Sequence, residues 1–269
     1  MIPSEEHKNF FKKEGYLVVK NIVPQEKIDM LYRSMVAVFQ KYHPHEQEDF
    51  LRGVSWENTH FHQRMAEFRK QDPRVFSALY DSMQTTVALW NFVTDPILAG
   101  IAAALMDEDI AGLTTTDALL RMDASGDTRN KLAWHQDSAH FRQNAKGAHG
   151  VVCAVTLRDL TADLGPLEIV PRSHTLGTIA IEGSVKDEER YNSLYSQQYA
   201  IPEEDIKGFE RESLIASRGD AYFINFDLVH CSGANTSGMF RFTVICRYHK
   251  MLANDFVPGR LIYYPTKKS

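Results

Sequence analysis

The sequence predicts a mainly β fold, an antiparallel jelly-roll core with an α-helical flank. Apolar spacing changes from three and four to two near residue 114, and turns containing Gly147, Gly165, Gly219 and Gly233 separate many short strand-like runs. Regular strand-helix alternation is missing, which argues against a doubly wound α/β sheet. At 269 residues the chain suits one domain, 1–269, with a helical flank over 1–113, a β core over 114–250 and a tail over 251–269.

In chain order, Tyr16 to Lys20 reads as a short strand after Gly15. Pro24 opens a helix whose stripe is Ile28, Leu31, Met35 and Val38. Asp72-Pro73 and Asp95-Pro96 are start signals, a capping carboxylate before a proline whose missing N–H costs nothing at the first helical position. Phe76, Leu79, Met83, Val87 and Trp90 form the stripe after the first, and Ile97, Ile101 and Leu105 that after the second. Strands are expected at Asp117 to Met122, Val151 to Leu157, Leu167 to Val170, Ala221 to Phe226 and Phe240 to Tyr248. The polar, tyrosine-bearing stretch 183–213, with Tyr191, Tyr195 and Tyr199, reads as an inserted flap near the mouth of a site.

The 30 basic and 35 acidic residues give a net charge of −5, a field that does not attract nucleic acid or an anionic membrane. A small molecule is the expected partner. Cys153, Cys231 and Cys246 form no C-x-x-C pair, so a reducing compartment suits the chain. Residues 1–8 carry no apolar run of signal-peptide length, and Lys267-Lys268-Ser269 has the wrong order for a peroxisomal address, so a cytoplasmic location is expected.

Among eleven histidines, His135-Gln136-Asp137 stands out, because residues two apart on a strand present an imidazole and a carboxylate on one side. His230 ends the apolar run from Tyr222 and is placed to complete a two-histidine, one-carboxylate triad that leaves positions open on Fe(II). A lone His-x-Asp is a weak signal, and a histidine at a strand end is more often a satisfied core or surface group. Arg241 strengthens the triad: Phe240 and Phe242 face the other side of its strand, which turns its guanidinium inward toward a carboxylate ligand. Arg247 shares that face, as a structural ion-pair partner or a second anchor. His43-Pro44-His45 and His60-Phe61-His62 lack further ligands at zinc spacing and read as solvated loop, and Arg52, Arg64 and Arg69 as a solvated face.

Trp134-His135-Gln136-Asp137, Leu157 to His174 (LRDLTADLGPLEIVPRSH), Leu228-Val-His-Cys-Ser-Gly-Ala-Asn235 and Arg241 occur in an order that resembles the phytanoyl-CoA dioxygenase family of Fe(II) and 2-oxoglutarate-dependent oxygenases. The resemblance spans roughly 117–250. It implies a double-stranded β-helix with His135, Asp137 and His230 as iron ligands and Arg241 on the distal carboxylate of 2-oxoglutarate. Gln136 and Ser232 match positions that contact the co-substrate in relatives, or serve local turns. The implied reaction uses O2 and 2-oxoglutarate to hydroxylate a C–H bond, releasing succinate and CO2. A non-catalytic 2-oxoglutarate-binding sensor or scaffold is the rival, and a cupin isomerase or Mn-dependent dioxygenase a third reading. The sequence departs from the family pattern where Pro171-Arg172-Ser173-His174 replaces Pro-Gly-Ser-His, and where Cys153 and Ala154 stand near the place of a bulky aromatic.

Overall fold

A computed structural model describes residues 3–43, 56–126, 132–139, 143–144, 146–179 and 200–258. Capping chemistry sets out the helical flank. Helix α1 (Glu5–Glu14) starts where the Ser4 hydroxyl accepts the His7 N–H, and stops at Gly15, whose φ of 85° glycine takes without a Cβ clash. Strand β1 (Tyr16–Val19) follows, then α2 (Gln25–Tyr42), which buries Ile28, Leu31, Tyr32, Met35, Val36 and Phe39. Asn58 caps α3 (Thr59–Gln71), which buries Phe61, His62, Met65 and Phe68. This corrects the loop reading of His60-Phe61-His62: one face of that segment is core, and His62 has no solvent exposure.

Asp72 and Asp95 cap α4 (Pro73–Gln84) and α6 (Pro96–Leu105), each with proline in the first turn. Between them the stripe read from Phe76 to Trp90 is two helices. The Thr86 hydroxyl accepts the Leu89 N–H and starts α5 (Val87–Val93), so Val87 lies outside the core at 78% exposed. In α6 the buried face is Leu98, Ile101, Ala102 and Leu105, with Ile97 turned out. The stretch Val87–Leu105 is long and apolar enough for a membrane, but Asp95-Pro96 breaks it into two helices and over half of it is buried in the protein.

The remaining elements are β2 (Leu113–Asp123), β3 (Gly150–Thr156), β4 (Leu167–Ile169), α7 (Glu203–Ile206), β5 (Glu212–Ser213), β6 (Ala221–Asn225), β7 (His230–Ser232) and β8 (Arg241–Lys250). They form a five-stranded sheet ordered β1-β6-β3-β8-β2 and a three-stranded sheet ordered β5-β4-β7, with antiparallel pairing throughout. On β8 the two faces separate completely. Phe240, just before the strand, Phe242, Val244, Cys246 and Tyr248 join the helices in the main core, whereas Arg241, Thr243, Ile245 and Arg247 line a cavity between the sheets. Cys153 and Cys246 meet across β3 and β8 on the helix side as free thiols.

Two loop features fix the second sheet. Gly165 has φ 68°, and a Cβ there would meet the Gly233 carbonyl oxygen at 2.5 Å, so only glycine lets the turns beside β4 and β7 touch. Arg172 takes the left-handed conformation, φ 69°, at the position where the family pattern has glycine, and its ion pairs to Glu14 and Glu210 tie the turn down. The flap boundary at 213 is corrected, because Ile201 and Ile206 are buried against Trp134, Val170 and Val229, and β5 pairs with β4. Tyr191, Tyr195 and Tyr199 lie outside the described residues.

His62 links the flank to β8. Its Nε2–H donates to the Trp56 carbonyl at 2.7 Å, so Nδ1 is the acceptor for the Phe240 N–H at 3.0 Å. Burial, against the pull of the Trp56 carbonyl, lowers its pKa from 6.5 to about 4. The unfolded chain therefore takes the proton first as pH falls, and stability from His62 is lost between about pH 6.5 and pH 4. Denaturant unfolding at pH 7 and pH 5 should show His62→Gln losing about 2 kcal/mol less than the native chain over that step. An equal loss in both proteins would contradict the neutral, buried imidazole.

Candidate metal centre

His135 and His230 are opposite members of an antiparallel bridge, each N–H donating to the other's carbonyl at 3.0 Å. Opposed residues on an antiparallel ladder present their side chains on the same face, so the two rings stand 4.2 Å apart, centroid to centroid. Each Nδ1 lies within hydrogen-bond distance of a carbonyl two residues upstream, Ala133 at 2.8 Å and Leu228 at 2.9 Å. With Nδ1–H donating in both, the lone pair stays on Nε2, the arrangement that orients imidazoles for metal.

Asp137 supplies the third donor by a different geometry from the one the sequence suggests. The chain leaves the bridge after His135 and enters a 3₁₀ turn, Asp137–Ala139, in which the Ser138 N–H donates to the Phe226 carbonyl. The turn still delivers the carboxylate: one ligand atom from each of His135, Asp137 and His230 lies within 4.8 Å of the others, and all three residues are buried. Two imidazoles and one carboxylate converging from one side fit a facial triad for Fe(II), with the remaining positions free for a bidentate co-substrate and O2.

The cleft beside this triad encloses about 540 Å³ including its open mouth. Arg241 lines it, with Nε and Nη2 donating to Asp123 Oδ2 at 3.2 and 2.7 Å. Nη1 is buried with no hydrogen-bond partner among the described residues. An unmet guanidinium nitrogen in the triad's cavity suits the free carboxylate of a ligand that chelates metal with its other end. Ser232 also lines the cleft, and its hydroxyl accepts the Leu132 N–H at 3.3 Å.

Gln136 has another task. Its Nε2 donates to the Gly177 and Asp227 carbonyls at 2.9 and 2.6 Å and its Oε1 accepts the Ile179 N–H at 2.7 Å, so the amide is spent on stapling loops behind the triad. Arg121, Asp123, Tyr222 and Thr243 also line the cleft, and no motif in the sequence marks them as site residues. Burial pushes the Tyr222 hydroxyl up to about 12, which keeps it a donor. Arg247 stands 3.7 Å from the Asp137 carboxylate, as an ion-pair partner on the cavity wall. Ala154 lines the cleft while Cys153 faces the helices, so of these two only Ala154 bears on its width.

Two antiparallel sheets around a buried His-Asp-His centre fit an iron- and 2-oxoglutarate-dependent dioxygenase. The family model described as phytanoyl-CoA dioxygenase matches residues 11–243, and the chain belongs to that family. A probable phytanoyl-CoA dioxygenase of Caenorhabditis elegans is 24% identical over 94% of this chain and 76% of its own length. The L-proline trans-4-hydroxylase of Streptomyces griseoviridis is 29% identical over 47% of the chain and 51% of its own. The epimerase SnoN, solved with Fe3+, α-ketoglutarate and nogalamycin RO, superposes with a TM-score of 0.61 over 91% of this chain and 83% of its own, at 18% identity.

Replacing His135, Asp137 or His230 by Ala is expected to weaken divalent metal binding at least about tenfold, since losing a ligand costs no less than losing a group that orients one. Anaerobic calorimetry with Fe(II) reads this directly. Unchanged affinity in any of the three would remove that residue from the centre.

Proposed function

We propose that the protein hydroxylates an unactivated C–H bond of a small-molecule metabolite, converting 2-oxoglutarate and O2 to succinate and CO2. The observation that carries the reading is the shared cavity of the His135, Asp137, His230 triad and the buried, unmet Nη1 of Arg241. In this reading the two sheets are the double-stranded β-helix, with the helices on the outer face of the larger sheet. The three buried free thiols support a reducing, cytoplasmic setting.

Bound iron supplies the activation of O2 that organic side chains lack. The chain's own residues bind, orient and exclude water. His135 and His230 hold metal through Nε2 while their backbone carbonyl partners fix the rings, and Asp137 adds the anionic ligand. Arg241 takes the distal carboxylate of 2-oxoglutarate, and Ser232 and Tyr222 offer hydroxyls along the same wall. Val152, Ala154, Ile224 and Ile245 give the cleft its apolar lining, which keeps water from the reacting carbon.

Succinate release from 2-oxoglutarate with Fe(II) under air, scored across a metabolite panel, tests the reaction. A substrate should raise succinate and yield a product heavier by one oxygen in matching amounts, whereas a pure binding protein releases none. Arg241→Lys keeps the charge and loses the planar fork, so the KM for 2-oxoglutarate should rise, by about tenfold where one charge-assisted hydrogen bond is lost. Identical titration in both proteins would contradict the assignment. Because Asp137 fills the ligand position that a halide would need, the product formed in high chloride should be oxygenated, and a chlorinated main product in the mass spectrum would count against the triad.

A further inference from the structure

We infer that Asp123 is a positioning residue for the co-substrate: by clamping Arg241 it sets the length of 2-oxo diacid that the cavity accepts. The inference rests on the reading that Arg241 receives the distal carboxylate. Asp123 and Arg241 are direct partners in the β2–β8 register, where Cβ atoms are closest. One carboxylate oxygen, Oδ2, takes both Nε and Nη2 of Arg241, and the other, Oδ1, takes Nη2 of Arg121 at 2.9 Å. The side chains of Asp123 and Arg241 are each 8% exposed. Burial alone would raise the Asp123 pKa, but attraction and hydrogen bonds from Arg121 and Arg241 outweigh it and hold the carboxyl below its ordinary value.

The backbone around the pair is fixed as well. The Asn235 amide donates to the Asp123 carbonyl at 3.0 Å and to the Met239 carbonyl at 2.8 Å, so the turn before β8 is pinned to the end of β2. From the other side His62 accepts the Phe240 N–H. With its backbone and one edge held, the arginine keeps Nη1 without a hydrogen-bond partner among the described residues, in the cavity it shares with the triad.

Two consequences follow from charge and length. Two guanidiniums, Asp123 and one bound carboxylate make a balanced cluster, which gives Arg121 a reason to be there: it offsets Asp123, and Arg241 keeps its charge for the ligand. A 2-oxo acid held by metal at its keto-acid end presents its far carboxylate at a distance set by chain length. A clamped guanidinium accepts one length, whereas an arginine with free torsions follows several, after losing rotamer freedom on binding.

The test is calorimetry with Mn(II)-loaded protein, which binds without turnover, using 2-oxoglutarate, oxaloacetate and 2-oxoadipate as probes. In Asp123→Asn the Kd for 2-oxoglutarate should rise about tenfold and its preference over 2-oxoadipate should shrink. Asp123→Glu, which keeps the charge but shifts the clamp by one methylene, should move the preference among the three acids. It serves as the sole readout if the Asn variant does not fold. Tighter 2-oxoglutarate binding in Asp123→Asn would overturn the inference, because Asp123 would then act only as a competing anion. Unchanged length preference in both variants would overturn it too. Arg241→Met separates the levels: if it weakens 2-oxoglutarate while the Asp123 variants change nothing, only the clamp fails, and if it too changes nothing, the reading of Arg241 fails with it.

Discussion

The pair of backbone hydrogen bonds between His135 and His230 is the constraint on which the site depends. These residues are far apart in sequence, and nothing local brings their rings together. The bridge does so by extending the smaller sheet by one more partner, and the carbonyls of Ala133 and Leu228 then decide which nitrogen of each ring carries the proton. What surrounds the bridge serves to hold it. Gln136 staples the loops behind it, Trp134 donates to Glu203 and lies under the Arg211 guanidinium, and the close approach of Gly165 and Gly233 seats the end of β7.

Strand β8 carries the second constraint. Its alternation places aromatic and aliphatic groups in the helical core and cations in the cavity, so the same ten residues anchor the flank and furnish the site. A one-residue slip would bury Arg241 among phenylalanines and expose Phe242 to the cleft, a change that costs several kcal/mol for the unpaired cation alone. Register is therefore held at the strand's start, by His62 and by Asn235, next to the residue whose placement matters most. The helical flank thus acts on the chemistry without touching it.

Elements whose signals are local were legible in the sequence. Capping aspartates before prolines located α4 and α6, and period-two alternation located β3 and β8. Helix α3 was hidden because its polar face and paired histidines read as loop, while its core face, Phe61, Met65 and Phe68, is short. The break at Thr85-Thr86 was hidden because the apolar spacing runs across it. In the site, His135, Asp137, His230 and Arg241 stood out through motif spacing and strand parity. Asp123 did not, since its pair with Arg241 is defined by cross-strand register, which no single segment reveals, and Arg121, two residues away on the same strand, gains its role only through that pair. For Gln136 the sequence left co-substrate contact and a local turn both open, and its partners in space are the carbonyls of Gly177 and Asp227.

In the proposed function one cavity holds metal on the triad and a 2-oxo acid between that metal and Arg241. Anaerobic visible absorption tests it most directly. Fe(II) added alone should leave the protein without a visible band, and 2-oxoglutarate added next should produce the charge-transfer colour of a chelated 2-oxo acid, saturating at one equivalent of each. No band in the presence of both, or a band of equal strength from Asp137→Ala, would contradict the account.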